Sequence, residues 1–261
     1  MTTVVLFVLG VAVGSFLNVV GLRWGTDGVL SGRSHCPSCH KCLRWYELVP
    51  VVSFLIQKAR CRGCRAKISW QYPLIEFWTG LIFITVPYVF LPVFCIYVVI
   101  TIYDFKHKII PDGLVYASVI LAFLTSYFLL PTPYSMLDWL TGPILFVFFA
   151  SIWLFSRGRA MGFGDAKLSL SVGLLLGASQ GFSAIVLAFW IGALGSLTYL
   201  FLNKLSLLSA GKAGLSAGKA GFLKNTKKIT MKSEIPFAPF IIVGVWISLI
   251  FHLDILHVAL F

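Results

Sequence analysis

The chain alternates between long apolar stretches and short polar segments, and this pattern predicts its architecture. A helix that crosses a bilayer needs about 17–25 predominantly apolar residues. Eight stretches approach or meet that length, at residues 3–22, 73–89, 91–104, 113–130, 141–156, 166–181, 183–202 and 236–256. The second and third are short and meet around Pro87 and Pro92, so a single broken helix is the alternative there. It would invert the orientation of everything downstream.

Composition supports a membrane protein. The 261 residues are 59% hydrophobic and 11% charged, and a soluble domain of this size cannot bury so much apolar surface. We therefore predict an all-α polytopic membrane protein with about eight transmembrane helices. Residues 4–20 are not interpreted as a signal peptide, because no basic residue precedes them and basic residues follow instead.

The basic residues decide between the two topologies. All 21 Lys and Arg residues fall in segments 23–72, 105–112, 157–165 and 203–235, or at Lys167 beside the third. With eight spans these segments share one side of the membrane, whereas the broken-helix alternative divides them between both sides. One-sided basic loops indicate the cytoplasmic face. The net charge of +12 is therefore explained by topology and the lipid bilayer, without nucleic acid as a partner.

The polar segments also divide the chain. We predict a first transmembrane helix (1–22), a cytoplasmic cysteine-rich unit (23–72) and a membrane-embedded remainder (73–261). Within the remainder, residues 203–235 contain a direct repeat, Leu-Ser-Ala-Gly-Lys-Ala-Gly, at 208–214 and 215–221. Such a Gly-rich basic segment is typical of a flexible linker near anionic lipid headgroups.

Four cysteines predict a metal site. Cys36 and Cys39 form one CxxC pair, Cys61 and Cys64 form a second, and 21 residues separate the pairs. Four thiolates on two tight turns give Zn²⁺ a closed tetrahedral site, which is structural because no position stays open for substrate. Three nearby side chains are alternative ligands, namely Cys42, His35 and His40. Cys95, inside an apolar stretch, is interpreted as a packing residue.

Two aspartates predict catalysis. Asp104 and Asp165 both stand at the predicted cytoplasmic ends of apolar stretches, where a carboxylate is costly to desolvate and functional by default. Two facing carboxylates can share a proton, one acting as base on water and the other as acid on the scissile carbonyl. Gly162 and Gly164 would let a substrate backbone approach. The structural alternative is that each aspartate is a helix cap or an interface charge.

Several motifs in chain order resemble those of the bacterial type IV prepilin peptidase family. Residues 162–165, Gly-Phe-Gly-Asp, resemble the GxGD motif of membrane aspartyl proteases, and Asp104 followed by residues 110–112, Ile-Pro-Asp, resembles the family's other catalytic motif. Residues 14–20 with Arg23, residues 72–76 and residues 235–239 resemble further signatures. The last departs from the family at Ala238, where glycine is usual.

The resemblance implies a function and its residues. Asp104 and Asp165 would cleave the basic leader from type IV prepilins or type II secretion pseudopilins at the bacterial inner membrane. The cysteine unit would mark enzymes that then methylate the new N-terminal residue with S-adenosylmethionine. Asp112 is expected to be structural or substrate-orienting. The donor site stays unlocated, with Glu47, Glu76 and the basic loop residues as weak candidates. Neither the choice of pilin nor the oligomeric state follows from the sequence.

Two other functions remain open at this point. One is a GxGD membrane peptidase without methyl transfer, in which the cysteine unit is a docking module. The other is a non-enzymatic scaffold or transporter with a zinc-stabilised loop. Among the histidines, His107 could influence Asp104, and His252 and His257 are expected to be uninvolved.

Overall fold

The computed structural model describes residues 1–25, 32–129, 135–159, 161–212 and 236–255. Over these residues the chain is helical and forms no strand. The helices are α1 (Thr2–Arg23), α2 (Val52–Ile56), α3 (Gln71–Thr85), α4 (Leu91–His107), α5 (Asp112–Leu124), α6 (Met136–Ser156), α7 (Phe163–Lys212) and α8 (Ala238–Phe251). Short 3-10 turns lie at Trp45–Glu47 and Tyr88–Phe90, and a π-helical turn at Thr125–Leu129 follows α5.

Residues 73–104 form two helices and not one broken helix. The chain is extended at Val86, the C-cap of α3, and also at Pro87, before the 3-10 turn that leads into α4. Pro92 lies in the first turn of α4, where its missing N–H would have no helical partner in any case. The proline pair therefore ends one helix and starts the next.

α7 contains a sharp break at Gly177, where φ is 70° and ψ is −167°. Glycine suits this left-handed position because it has no Cβ. The predicted stretches 166–181 and 183–202 correspond to the two helices that meet at this break, which we call the two halves of α7. α7 then continues to Lys212, so residues 203–212 of the predicted linker are helical. Residues 213–235, including most of the direct repeat, lie outside the described residues.

One aspartate holds the break together. Asp138, in the first turn of α6, accepts the Ala178 N–H through Oδ1 at 2.8 Å. Its Oδ2 accepts from the N–H and the hydroxyl of Ser135, and the Ser135 Oγ accepts the Asp138 N–H in return. This carboxylate thus caps α6 through a capping box and also caps the second half of α7.

α4 is the central helix of the bundle. It packs against α1, α3, α5 and α8, and its Val93, Phe94 and Tyr97 are fully buried. The Tyr97 hydroxyl bonds the Ser171 hydroxyl of α7 at 2.9 Å, which satisfies a polar group in the apolar interior. Asp104 on α4 and Asp165 on α7 therefore stand on two helices that are joined by this hydrogen bond in the bundle interior.

One end of the bundle carries the basic residues, and we call it the basic end. α1, α4 and α6 end there and α3, α5, α7 and α8 begin there. The second half of α7 runs back toward this end, since Gly192 lies against Phe240 near the start of α8 and the Gln180 carbonyl accepts from Ser248 near its end. Contacts between these termini include Lys106 Nζ to the Leu22 carbonyl at 2.9 Å and Asn18 Nδ2 to the Tyr72 carbonyl at 3.4 Å. The unit between α1 and α3 projects from this end.

Five helices are long and apolar enough to cross a bilayer: α1, α4 with its preceding turn, α5 with its π turn, α6 and α7 up to Thr198. α8, with 14 residues, is apolar but shorter, and α3 has 15 residues. Large apolar side chains point outward on α1, among them Val4, Val5 and Val8, as lipid-facing residues do. The expectation of an all-α, multi-pass membrane protein is confirmed.

Candidate active site and metal centre

Asp104 lies in the last turn of α4, where the helix ends in a left-handed residue, Lys108. Its side chain is only 4% exposed. The Ala238 N–H donates to this carboxyl group, and Ala238 is the first residue of α8. A helix N-terminus favours negative charge, so α8 is placed to hold Asp104. The Oδ2 atom of Asp104 has no hydrogen-bond partner among the described residues.

Asp165 lies in the first turn of α7 and is 7% exposed. Its carboxyl group accepts the Gly162 N–H, and Gly162 precedes the first helical residue, Phe163. This is the arrangement of a carboxylate three residues into a helix that reaches back to the N-cap. The side chain is therefore oriented by the start of its own helix. Asp165 thus also has the helix-capping role that was the structural alternative to catalysis.

Asp104 and Asp165 lie at the same end of the bundle, close enough for their charges to interact across the gap between α4 and α7. Gly164 sits against Ile110, since a Cβ on Gly164 would lie 2.8 Å from the Ile110 Cβ. This close approach explains the second glycine of the Gly-Phe-Gly-Asp motif, because any side chain there would push α7 away from the segment that follows Asp104.

Asp112 is occupied elsewhere. Its Oδ1 lies 2.7 Å from Lys167 Nζ, and its side chain is 61% exposed. The same ammonium group lies over the rings of Tyr116 and Phe163, at 5.5 and 5.1 Å from their centroids. Asp112 therefore joins α5 to the start of α7 beside the aspartate pair without being buried in it. The assignment of Asp104 and Asp165 as the catalytic pair stays a prediction.

Four cysteines converge in the unit between α1 and α3. The sulfur atoms of Cys36, Cys39, Cys61 and Cys64 all lie within 4.8 Å of one another, and the Cys36 and Cys64 sulfurs are 3.8 Å apart. Zn²⁺ bound to four sulfurs at about 2.3 Å would separate them by about 3.8 Å. The predicted ligand set thus has the geometry of a closed four-thiolate metal site.

The two CxxC turns have the same construction. In the first, His40 is left-handed and its N–H donates to the Cys36 carbonyl. In the second, Arg65 is left-handed and its N–H donates to the Cys61 carbonyl. Isolated β-bridges close both turns, His35 with Cys42 and Arg60 with Lys67. This internal repetition, invisible in the side-chain sequence, presents two pairs of thiols to one point.

Backbone donors prepare one thiol for a metal. The N–H groups of Cys39 and Ser38 donate to the Cys36 sulfur and lower its pKa to about 6. At Cys64 the Ala66 N–H acts in the same direction, but burial and the neighbouring thiols raise the pKa to about 11. Without a cation, four adjacent thiolates repel one another, and a bound Zn²⁺ removes that repulsion.

The alternative ligands do not join this cluster. Cys42 is exposed and takes part in the bridge with His35 through its backbone. The rings of His35 and His40 stack on each other at 6.0 Å. Of the remaining histidines, His107 stacks on Tyr103, His252 contacts Gln180, and His257 lies outside the described residues.

Of two buried glutamates, Glu47 makes its contacts within the metal-binding unit and Glu76 joins that unit to the bundle. Glu47 accepts the Arg44 N–H at 2.9 Å and pairs with Lys41 at 3.3 Å, and these contacts lower its pKa. Glu76 of α3 accepts the Val51 N–H at 2.7 Å. From the sequence, both glutamates are only weak candidates for the methyl-donor site. Sequence reasoning missed Asp138 entirely, although Ser135-x-x-Asp138 before an apolar stretch is a capping-box signal.

The fold and the site together define the class: a polytopic membrane protein with two buried aspartates and a four-cysteine centre at the same end of its bundle. The sequence matches the Bacterial Peptidase A24 N-terminal domain over residues 8–90 and the type IV leader peptidase family over residues 89–197. The chain belongs to the type IV leader peptidase family. This confirms the family expected from the motifs.

The curated relatives agree with this membership. A "Prepilin leader peptidase/N-methyltransferase" of Bacillus subtilis (strain 168) is 29% identical over 92% of this chain and 90% of the relative. A "Type 4 prepilin-like proteins leader peptide-processing enzyme" of Escherichia coli O78:H11 is 30% identical over 64% of this chain and 74% of the relative. A Myxococcus xanthus relative is 54% identical, over 31% of this chain and 24% of its own length. No solved structure matches the chain.

Proposed function

We propose that this chain cleaves the leader peptide from prepilins or pseudopilins with Asp104 and Asp165 and then methylates the new N-terminal residue. The observation that carries the cleavage proposal is the pair of buried carboxyl groups, which interact across α4 and α7. The relatives' names supply the substrate class and the second activity.

The chemistry needs one proton between the two aspartates. The ionised carboxylate takes a proton from a water molecule, whose oxygen attacks the scissile carbonyl carbon. The protonated partner gives its proton to the carbonyl oxygen. Collapse of the tetrahedral intermediate then expels the new amino terminus, which takes up a proton. The free Oδ2 of Asp104 is available to the water or the substrate in this scheme.

The charge pattern supports a cytoplasmic location for the site. The opposite end of the bundle has no Lys or Arg in the segments between its helices, 86–90 and 130–135, so we place the basic end in the cytoplasm. A prepilin is then met where its basic leader joins its membrane helix, beside the aspartates. The membrane is the bacterial inner membrane in this proposal.

The metal and the methyl donor serve the second activity. The four cysteines of the cluster would hold Zn²⁺ in a structural role, since all four tetrahedral positions are filled by protein thiolates. S-adenosylmethionine, when bound, supplies the methyl group as an electrophile. The residues around the methyl donor are then in place only when the metal-binding unit is folded.

The cleavage proposal is tested in proteoliposomes with a prepilin that has a Gly–Phe junction. Wild type is compared with Asp104→Asn and Asp165→Asn, each of which keeps the side-chain shape. We expect each substitution to lower kcat/KM about 10²–10⁴-fold, the typical contribution of a general acid or base. The readout is the mass of the shortened product.

Asp112→Asn is the matched control. It removes an exposed carboxylate on the same end of the bundle, paired with Lys167, and should leave cleavage largely intact. Cleavage by both dyad variants, with Asp112→Asn inactive, would overturn the assignment. Failure of wild type on every prepilin would instead favour the scaffold alternative.

A further inference from the structure

A cavity of about 640 Å³ lies between the metal-binding unit and the basic end of the bundle. Cys36 and Cys61 form part of one wall, and Tyr72, Glu76 and Lys106 form part of the other. Ligand pockets typically measure about 300–1,000 Å³. The cavity therefore has the size of a small-molecule site, and it exists only if the metal-binding unit is folded against the helices.

One carboxylate in this cavity lacks a countercharge. Glu76 is 7% exposed, and its contacts are the Val51 N–H and the Ser15 hydroxyl. Over the part of the chain that the structure describes, no Lys, Arg or His nitrogen lies within 4.0 Å of it, whereas Glu47 pairs with Lys41. A buried charge is costly unless it is paired, so Glu76 favours a positive group on a ligand, while Lys67 and Lys106 on the same walls favour a negative group on it.

The other walls suit a nucleoside. Phe54 and Tyr72 supply aromatic surface, and Ser53 and Ser69 supply hydroxyl groups. Aromatic faces stack on bases and attract cations. A flat base and a positive charge on one molecule would therefore both find partners here.

The cavity lies at the same end of the bundle as the aspartate pair. Lys106 lines it and stands two residues beyond Asp104 on α4, and residues two apart on a helix point to different faces. An amino terminus produced at Asp104 would therefore have to move from one side of α4 to the other to reach the cavity.

We propose that this cavity binds the methyl donor, a sulfonium nucleoside of the S-adenosylmethionine type, with Glu76 as the countercharge to its positive end. The inference rests on the proposed methyl transfer. In that step the substrate's new ammonium terminus first loses a proton to a carboxylate or water. The amine nitrogen then bonds to the methyl carbon as the carbon–sulfur bond breaks, and the sulfur keeps that electron pair as a neutral thioether.

Direct binding tests the site. The full-length zinc-loaded chain in lipid nanodiscs is titrated with S-adenosylmethionine and with S-adenosylhomocysteine, which lacks the sulfonium charge, by calorimetry. We expect Glu76→Gln to raise the Kd for S-adenosylmethionine at least tenfold. A larger loss for S-adenosylmethionine than for the homocysteine analogue assigns Glu76 to the sulfonium, and equal losses assign it to the amino group. Asp112→Asn should bind as wild type does.

A second variant keeps the test decisive if Glu76→Gln fails to fold. Ser53→Trp fills the cavity from α2 and should abolish binding of both compounds. Zinc content and prepilin cleavage, measured on each sample, report folding. Unchanged Kd values in both folded variants overturn the cavity assignment, even if wild type still methylates its product. Absence of both cleavage and methylation in wild type contradicts the proposed function instead.

Discussion

The contact between Gly164 and Ile110 gives a quantitative prediction for the aspartate pair. A methyl group on Gly164 would lie 2.8 Å from the Ile110 Cβ and 3.3 Å from its Cγ1 and Cδ1. Ordinary contact begins at 3.4 Å, so the start of α7 and Ile110 must move apart by about 0.6 Å. Overpacking of this kind costs about 1–3 kcal/mol.

That movement carries Asp165 with it, because Asp165 is the next residue in the same turn. A displacement of 1 Å in a catalytic group costs about 10²-fold in rate. We therefore expect Gly164→Ala to lower kcat/KM for prepilin cleavage roughly 10- to 100-fold. Purified variants in proteoliposomes are assayed by mass spectrometry of the shortened product, and a thermal unfolding curve reports their stability.

Two further variants make the argument refutable. Ile110→Gly removes all three contacting atoms, so the double variant with Gly164→Ala should recover a large part of the lost activity. Gly113→Ala is the control, because its Cβ would meet no atom within 4 Å and alanine favours a helix. Full activity of Gly164→Ala, or no recovery in the double variant, would show that this contact does not position Asp165.

Three other outcomes are expected. Removal of zinc with a chelator should abolish methylation and leave cleavage largely intact. Cys61→Ser should have the same effect, whereas Cys42→Ser should leave both activities intact. Zinc content and product mass are the measurements. On acidification, zinc should be released, because protons compete with the metal for the four thiolates; this is measured by metal analysis after dialysis at stepped pH, and a zinc content that stays the same down to about pH 3 would contradict it. Asp138→Ala should lower the free energy of unfolding by about 1–2 kcal/mol, the cost of a lost cap, whereas an unchanged unfolding midpoint in detergent would show that the break at Gly177 needs no cap.

The sequence predicted those features that depend on local pattern. Apolar length predicted the helices, and the CxxC spacing predicted four converging thiols, because each is determined within a short segment. The break at Gly177 was placed a few residues too late, since only the contact with Asp138 defines it. The donor to Asp104 is the backbone N–H of Ala238, far along the chain, and a backbone group leaves no trace in a residue pattern.

The cavity at Glu76 was beyond sequence reasoning for a related reason. Its walls come from α1, the metal-binding unit, α3 and α4, and no short motif contains them. From the sequence, Glu76 is only one of several weak candidates for the methyl-donor site. Its importance depends on having no nearby countercharge, which is a property of three-dimensional surroundings.

The packing of α1 directly against α3 has an evolutionary consequence. Asn18 of α1 bonds the Tyr72 carbonyl at the start of α3, so the two points where the metal-binding unit leaves and rejoins the bundle are neighbours. A short turn could therefore connect α1 to α3 in place of the metal-binding unit while the helical hairpin stays intact. In a chain without the metal-binding unit, Glu76 would lose the Val51 N–H as its hydrogen-bond donor. We therefore expect an apolar residue at the position of Glu76 in any peptidase of this architecture that cleaves but does not methylate.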